Sequence, residues 1–120
     1  IAYINLHGTA TPLNDAMESA AVLRVFGDSV PCSSTKPLTG HTLGAAGATE
    51  AALCWLLLSS LNTENILPAQ CNKKPPDASL APIAILRATQ TLPDTNIIAM
   101  LSNSFAFGGS NASVILSRQA

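Results

Sequence analysis

Ser-Ser-Thr-Lys-Pro-Leu-Thr-Gly-His-Thr-Leu-Gly-Ala-Ala-Gly-Ala-Thr-Glu, residues 33–50, leads directly into the most apolar run of this chain. Thr39-Gly40 breaks the preceding extended segment, and the residues that follow favour a helix from about His41 to Leu61. From Ala51 to Leu58 this helix is apolar nearly all round, which indicates burial on most of its sides. A helix of this kind belongs inside a layered structure.

Three ionisable side chains lie around the start of this helix. His41 is predicted at the first turn, where the positive end of the helix dipole disfavours imidazolium, so a neutral ring can donate a hydrogen bond at pH 7. Glu50 points to another side of the helix and needs a neutralising partner, for which Lys36 is the natural candidate. Taken alone, the pattern also fits a helix-capping histidine and an ordinary surface lysine.

Composition limits what the chain can be. Its 120 residues suit one domain, and 48% of them are hydrophobic. Only 11% are charged, against about 25% in ordinary globular domains. We therefore expect one face to be buried against a partner chain or a missing part of the same protein. A start at Ile1 rather than methionine fits a fragment.

Charge and cysteine content exclude several classes. A formal net charge of -1 with scattered basic residues argues against nucleic-acid binding. Cys32, Cys54 and Cys71 lack metal-like spacing, which indicates a reduced, cytoplasmic protein. No signal peptide opens the chain, and the 51–58 run is too short to span a bilayer, so no membrane association is expected.

Strand and helix signals along the rest of the chain predict one mixed sheet with helices packed on it. Ala2–Leu6 is predicted as a buried strand that delivers His7 at its carboxyl end. The first helix should run from Asn14 or Asp15 to Phe26, with Glu18 exposed to solvent and Met17 in the core. Trp55 should also lie in the core. The remaining predicted segments are strand 30–34, a loop-rich connector 62–80 with a solvated Lys73-Lys74 pair, and strands 83–88, 96–103 and 112–117.

Three motifs follow one another in the chain: His7-Gly-Thr-Ala-Thr-Pro12, the stretch 33–50, and Asn103-Ser-Phe-Ala-Phe-Gly-Gly-Ser-Asn111. Together they resemble the C-terminal half of β-ketoacyl-acyl-carrier-protein synthases, over nearly the whole chain. The resemblance implies an α/β, thiolase-like fold, in which residues 1–120 form the second half of a five-layer αβαβα architecture. The absent N-terminal half would carry the nucleophilic cysteine.

The resemblance also implies the chemistry. In these acyltransferases of fatty-acid or polyketide synthesis, a cysteine takes an acyl group, a malonyl thioester loses carbon dioxide, and the enolate attacks the acyl-cysteine. His7 and His41 match the two neutral donors that stabilise the enolate oxygen. Lys36 matches the family lysine beside them, and Glu50 the carboxylate that anchors it. No cysteine of this chain matches the nucleophile, so the chain alone should be inactive.

Substrate and ion contacts are carried over in the same way. Thr9 and Thr11 match residues that hydrogen-bond the phosphopantetheine arm delivered by acyl carrier protein; no tightly bound cofactor is expected. Phe107 matches the gate between the two substrate pockets, with its backbone N–H in the oxyanion hole. Phe105 packs beside it, and Gly108 and Gly109 give the gate its flexibility.

Some members of the family hold a structural Na+ or K+ ion. The residues that match its ligands are Asn5, Glu50, Ser102 and Asn103. Ala10 and Ala106 depart from the serine and glycine common at these positions, and the second leaves chain-length preference in doubt. The full enzymes are usually dimers, so we expect a dimer for the whole protein.

Rival interpretations remain. The chain could belong to a non-catalytic, chain-length-factor-like subunit whose partner supplies the active cysteine, although the two histidines and Lys36 weigh against it. A nucleotide-binding module fails, since neither G-x-G-x-x-G after a strand nor G-x-x-x-x-G-K-[ST] is present. His7 alone could be a hydrogen-bonded strand-end histidine, and Phe105 a simple core residue.

Overall fold

The computed structural model describes residues 1–72, 74–75 and 77–119. The strands are β1 Tyr3–Asn5, β2 Cys32–Ser33, β3 Ile66–Leu67, β4 Gln90–Thr91, β5 Ile97–Ser104 and β6 Ala112–Gln119. The helices are α1 Pro12–Phe26, α2 Lys36–Thr39 and α3 Ala46–Leu58, with a 3-10 turn at Leu43–Ala45 before α3.

The main sheet is mixed, as the sequence predicts, and has the order β2-β1-β5-β6. β1 lies parallel to both β2 and β5, while β5 and β6 form an antiparallel hairpin paired from Ile97↔Gln119 to Ser104↔Ala112. β3 and β4 form a separate antiparallel pair. β1 is short and buried, as expected of a parallel strand covered on both faces. Its carboxyl end leads through Leu6 to His7.

Side chains alternate between the two faces of the sheet, and each face is covered by one helix. On the face covered by α3, Tyr3 and Met100 pack with Cys54 and Leu58. On the face covered by α1, Ile4, Leu6, Cys32 and Leu101 pack with Val22. We call these the α3 face and the α1 face. The same alternation assigns Asn5 and Ser102 to the α3 face and Asn103 to the α1 face.

Several apolar side chains stay exposed in this chain. Trp55 on α3 is 57% exposed and Met17 on α1 is 47% exposed, so the prediction that both are core residues is wrong for the chain described. Ile97 and Ile115 on the hairpin are also exposed. Within the described residues, no helix has the length and hydropathy needed to cross a membrane.

Some predicted boundaries are wrong. The helix predicted from His41 to Leu61 begins only at Ala46 and ends at Leu58, and α2 was not predicted. The strand predicted over 83–88 is reduced to an isolated bridge between Cys32 and Ile85, because β2 offers it only two residues to pair with. β3 and β4 were not predicted, and Lys73 lies outside the described residues.

Candidate active site

His7 lies two residues after the end of β1 and is 5% exposed. Its ring meets that of His41 edge-on, with centroids 5.5 Å apart and planes at 86°. Phe105 contacts the same ring from another side, with a centroid distance of 5.6 Å. Residues 98 positions apart in the chain thus meet around one imidazole because β1 and β5 are paired neighbours.

His41 reaches this position from a loop and not from a helix. α2 ends at Thr39 and is followed by Gly40, whose φ of 75° lets the chain reverse and whose N–H donates to the Lys36 carbonyl at 2.8 Å. Leu43 has a φ of 51°, which ordinary side chains rarely adopt, and the 3-10 turn starts there. The helix-dipole explanation offered for His41 is therefore wrong, since α3 starts five residues later.

Lys36 and Glu50 form a buried ion pair on the α3 side of the site. Lys36 is the first residue of α2 and is 7% exposed, while Glu50 projects from α3 and is 1% exposed. The pair is made through Nζ and Oε1. This ion pair ties α2 to α3. The charge of Lys36 also acts on His7.

His7 is held in its neutral form. Burial of the ring, and then the nearby charges of Lys36 and His41, lower its pKa to about 4. Asp15 opposes this shift only weakly. At pH 7 the ring therefore has one N–H donor and one acceptor nitrogen. Nδ1 is buried and has no hydrogen-bond partner among the described residues.

Glu18 is a buried carboxylate at this site that the sequence did not reveal. It was expected to be wet, yet it is 3% exposed. Its Oε1 accepts the His7 N–H at 2.8 Å, and its Oε2 accepts the Gly8 N–H at 2.9 Å. Burial raises the pKa of Glu18, whereas these hydrogen bonds lower it. A lone glutamate on a helix carries no sequence signal that it points inward.

The other predicted substrate residues lie on the exposed side of the site. Thr9 and Thr11 hydrogen-bond to each other through their hydroxyls at 2.9 Å. Phe107 is 99% exposed at the tip of the β5–β6 hairpin, and Gly108 beside it has a φ of 62°. Gly109 follows in the same turn. Phe107 is thus free to meet another surface, while Phe105 contacts His7.

The predicted ion ligands divide between the two faces of the sheet. Asn5 and Ser102 are paired neighbours on the α3 face, and Glu50 lies near enough for its charge to contribute to raising the pKa of Tyr3. Asn103 lies on the α1 face, where its Nδ2 donates to Glu18 and its Oδ1 accepts from Ser113. The side chain of Asn103 therefore does not join the other three.

Buried polar atoms on the α3 face fit a bound cation. Both polar side-chain atoms of Asn5, and Oε2 of Glu50, are buried without a hydrogen-bond partner among the described residues. Unpaired buried oxygens are costly, and hard monovalent cations prefer oxygen ligands. The described residues contain no cluster of three or more His, Cys, Asp and Glu side chains suited to a transition metal.

Two of the three cysteines are poorly suited to attack a thioester. Burial raises the pKa of Cys32 to about 12 and that of Cys54 to about 11. Both thiols are thus protonated at pH 7, and the thiolate is the nucleophilic form. Cys71 is exposed in the connector after β3. The site formed by this chain offers hydrogen-bond donors and the positive charge of Lys36 around the imidazole of His7.

Comparison with known proteins gives the same family that the sequence motifs predict. The family described as beta-ketoacyl synthase, C-terminal domain, matches residues 1–73. The chain belongs to the beta-ketoacyl synthase family. It is also 42% identical over 119 residues to 3-oxoacyl-acyl-carrier-protein synthase 1 of Haemophilus influenzae, covering 98% of this chain and 28% of the relative.

Solved structures give the same result for this beta-ketoacyl synthase chain. A complex of the ketosynthase ApeO with its chain length factor ApeC from Xenorhabdus doucetiae matches with a TM-score of 0.85 and 53% identity, covering all of this chain and 29% of the other. A beta-ketoacyl synthase from Burkholderia phymatum matches with a TM-score of 0.83 and 39% identity, covering all of this chain and 28% of the other.

These matches confirm the thiolase-like α/β fold that the sequence predicts. The chain spans less than a third of the length of each of these three proteins.

Proposed function

We propose that the full-length protein catalyses decarboxylative Claisen condensation of an acyl thioester with malonyl-acyl-carrier protein. The observation that carries this is the edge-on pair of His7 and His41, with Lys36 close enough to lower the pKa of His7. A neutral imidazole donor is what a developing enolate oxygen requires in a site shielded from water.

In this mechanism each residue has a distinct task. His7 and His41 donate hydrogen bonds to the thioester oxygen of the malonyl group as carbon dioxide leaves and negative charge develops there. Burial and then the charge of Lys36 keep His7 neutral, and Glu50 holds Lys36 in place through the buried ion pair. The nucleophilic cysteine comes from the absent part of the protein, so this chain supplies the decarboxylating half of the site.

Carrier-protein contacts belong to the exposed side. Thr9 and Thr11 present hydroxyls that can hydrogen-bond the phosphopantetheine arm, since both are donors and acceptors. Phe107 stands clear of the rest of the chain at the hairpin tip and acts as the gate. Its backbone N–H contributes to the oxyanion hole, and Gly108 and Gly109 allow the turn to move.

A monovalent cation would be held by Asn5, Glu50 and Ser102. Bound there, it would satisfy the unpartnered oxygens and fix the carboxylate that anchors Lys36. Replacing Na+ and K+ with choline should lower the melting temperature of the wild type but not that of Asn5→Leu. Equal melting temperatures of the wild type in the three salts would contradict this assignment.

A second candidate is a non-catalytic subunit that shapes the cavity of a ketosynthase partner. One observation favours it: the matching complex from Xenorhabdus doucetiae pairs a ketosynthase with a chain length factor. The two candidate functions differ in the residue at the nucleophile position in the rest of the protein. A cysteine there favours the condensing enzyme, and another residue favours the non-catalytic subunit. For either one we propose a dimer located in the cytoplasm.

The test is an assay of the full-length protein with malonyl-acyl-carrier protein that follows carbon dioxide release and β-ketoacyl product. His7→Ala and His41→Ala should each lower decarboxylation by about 100-fold, the usual cost of losing one oxyanion donor. Glu64→Gln, at an exposed site, serves as the control. Variants that decarboxylate as fast as the wild type would move the chemistry elsewhere and favour the cavity-forming subunit.

A further inference from the structure

A cavity of about 270 Å³ opens on the α1 face of the sheet, beside β2. The segment that contains Ile83 and Ile85 runs parallel to β2, and these two side chains pack against the α1-face cluster. The first turns of α1 form one wall, and the connector after β3 forms another. We call this space the edge cavity. Its lining is mainly aliphatic and includes Leu6, Pro37, Leu80, Ala81, Ile83 and Ile85.

The edge cavity is a different space from the candidate active site. None of His7, His41, Phe105 and Lys36 lines it. It lies at the carboxyl end of the parallel strands, where open α/β sheets bind their ligands. The condensation proposed above leaves this space without a role.

Two basic side chains, Lys74 and Arg87, also line the edge cavity. Strand alternation places Arg87 on the same face as Ile83 and Ile85. Nη1 of Arg87 donates to the carbonyl of Asn72 at 3.2 Å and to that of Lys74 at 3.0 Å, which fixes the guanidinium beside the cavity. Within the described residues neither cation forms an ion pair.

The carboxylates that line the edge cavity are engaged elsewhere. Glu18 accepts main-chain N–H groups after β1, and Asp15 accepts from Asn14 at 3.1 Å. Oδ1 of Asp77 accepts both the N–H and the hydroxyl of Ser79, at 2.9 and 2.7 Å. The two cations are thus left for an anion. A guanidinium binds both oxygens of a carboxylate side by side, which makes a carboxylate the best fit.

The volume of the edge cavity limits the size of the ligand. Pockets that hold drug-sized molecules measure about 300–1,000 Å³, so this one suits a smaller molecule. At about 30 Å³ for each water-sized group, it has room for roughly nine such groups. Hexanoate has a similar number of non-hydrogen atoms, and its alkyl chain matches the aliphatic lining.

We propose that the edge cavity binds a short aliphatic monocarboxylate, with its carboxylate on Arg87 and its alkyl chain against Leu6, Ile83 and Ile85. Lys74 adds a second positive charge near the carboxylate. Binding at this site does not depend on whether the protein condenses acyl thioesters, so the proposal stands apart from the proposed function.

The test is calorimetric titration of the full-length protein with hexanoate. Hexanoate should bind the wild type, and butanoate should bind about ten-fold more weakly because it buries fewer methylene groups. Hexylamine, which has an alkyl chain of the same length and a positive charge, should not bind. Arg87→Gln should weaken hexanoate binding by about 10- to 100-fold, the usual cost of losing a hydrogen bond to a charged group.

Two further variants complete the test. Arg24→Gln removes an exposed arginine of α1 that does not line the cavity, so it should bind hexanoate as the wild type does. Ala81→Phe fills the cavity without changing its charge and should abolish binding. A wild type that does not bind hexanoate, or that binds hexylamine equally well, would overturn the proposal. So would equal hexanoate binding by the wild type and Arg87→Gln, which decides the matter alone if Ala81→Phe does not fold.

Discussion

Removing one member of the Lys36–Glu50 pair should be severely destabilising. Lys36 is 7% exposed and Glu50 is 1% exposed, so each variant leaves a charge away from water. Breaking a buried ion pair from one side costs about 3–5 kcal/mol, because the remaining charge is uncompensated. We expect losses in this range for Lys36→Met and for Glu50→Gln. Both substitutions keep the approximate volume of the side chain.

The double variant distinguishes a charge effect from a packing effect. Lys36→Met with Glu50→Gln leaves no unpaired charge, so its loss should be clearly smaller than the sum of the single losses. Urea titrations of the full-length protein measure the free energies of unfolding, with Glu64→Gln as an exposed control. Additive losses, or single losses below about 1 kcal/mol as at exposed ion pairs, would refute the buried pair.

Three further outcomes can be checked. The pKa of His7 is lowered to about 4, so the native state binds fewer protons than the unfolded chain between pH 4 and about 6.5. Stability should fall as pH falls through that window. Thermal melts should show a smaller loss of stability for His7→Gln than for the wild type. An equal loss in both proteins would contradict the lowered pKa of His7. In Gly8→Ala the new Cβ would lie 2.6 Å from Ser34 Cβ, at a φ of 45°. The loss in free energy of unfolding should therefore exceed the about 1–3 kcal/mol expected for backbone strain alone. Ser34→Gly should restore part of this loss, as measured by urea titration. Phe107→Ala should leave the melting temperature unchanged, since Phe107 is 99% exposed, yet abolish condensation in the carrier-protein assay; a lower melting temperature would show that the ring packs in the fold.

The sequence predicted the parts of the fold that depend on simple patterns. β5 and β6 have eight residues each and are rich in apolar and β-branched side chains, so their existence and pairing could be read directly. β1 was found because a short apolar run precedes a polar motif. The partner of Glu50 could be inferred, since a charge in an apolar helix requires an opposite charge nearby.

Other features depend on information that a single sequence does not contain. The predicted start of α3 is wrong because Leu43 takes a positive φ. Among residue types, only glycine and asparagine indicate a positive φ from sequence. The prediction of a strand over residues 83–88 is wrong because β2 is only two residues long and offers few positions for pairing. The burial of Glu18 and the side on which the Asn103 side chain lies could not be predicted, because each faces the α1 side and that orientation depends on how helix and sheet meet.

Strand alternation in β1 bears on how this region can change in length. Tyr3 and Asn5 face α3, whereas Ile4 and Leu6 face α1. A single substitution would disturb one of these positions. A one-residue deletion inside β1 would exchange the two sets, turning Asn5 towards the apolar α1 cluster and moving His7 away from Glu18. Insertions and deletions should therefore be found in the connector after β3 and not in this strand.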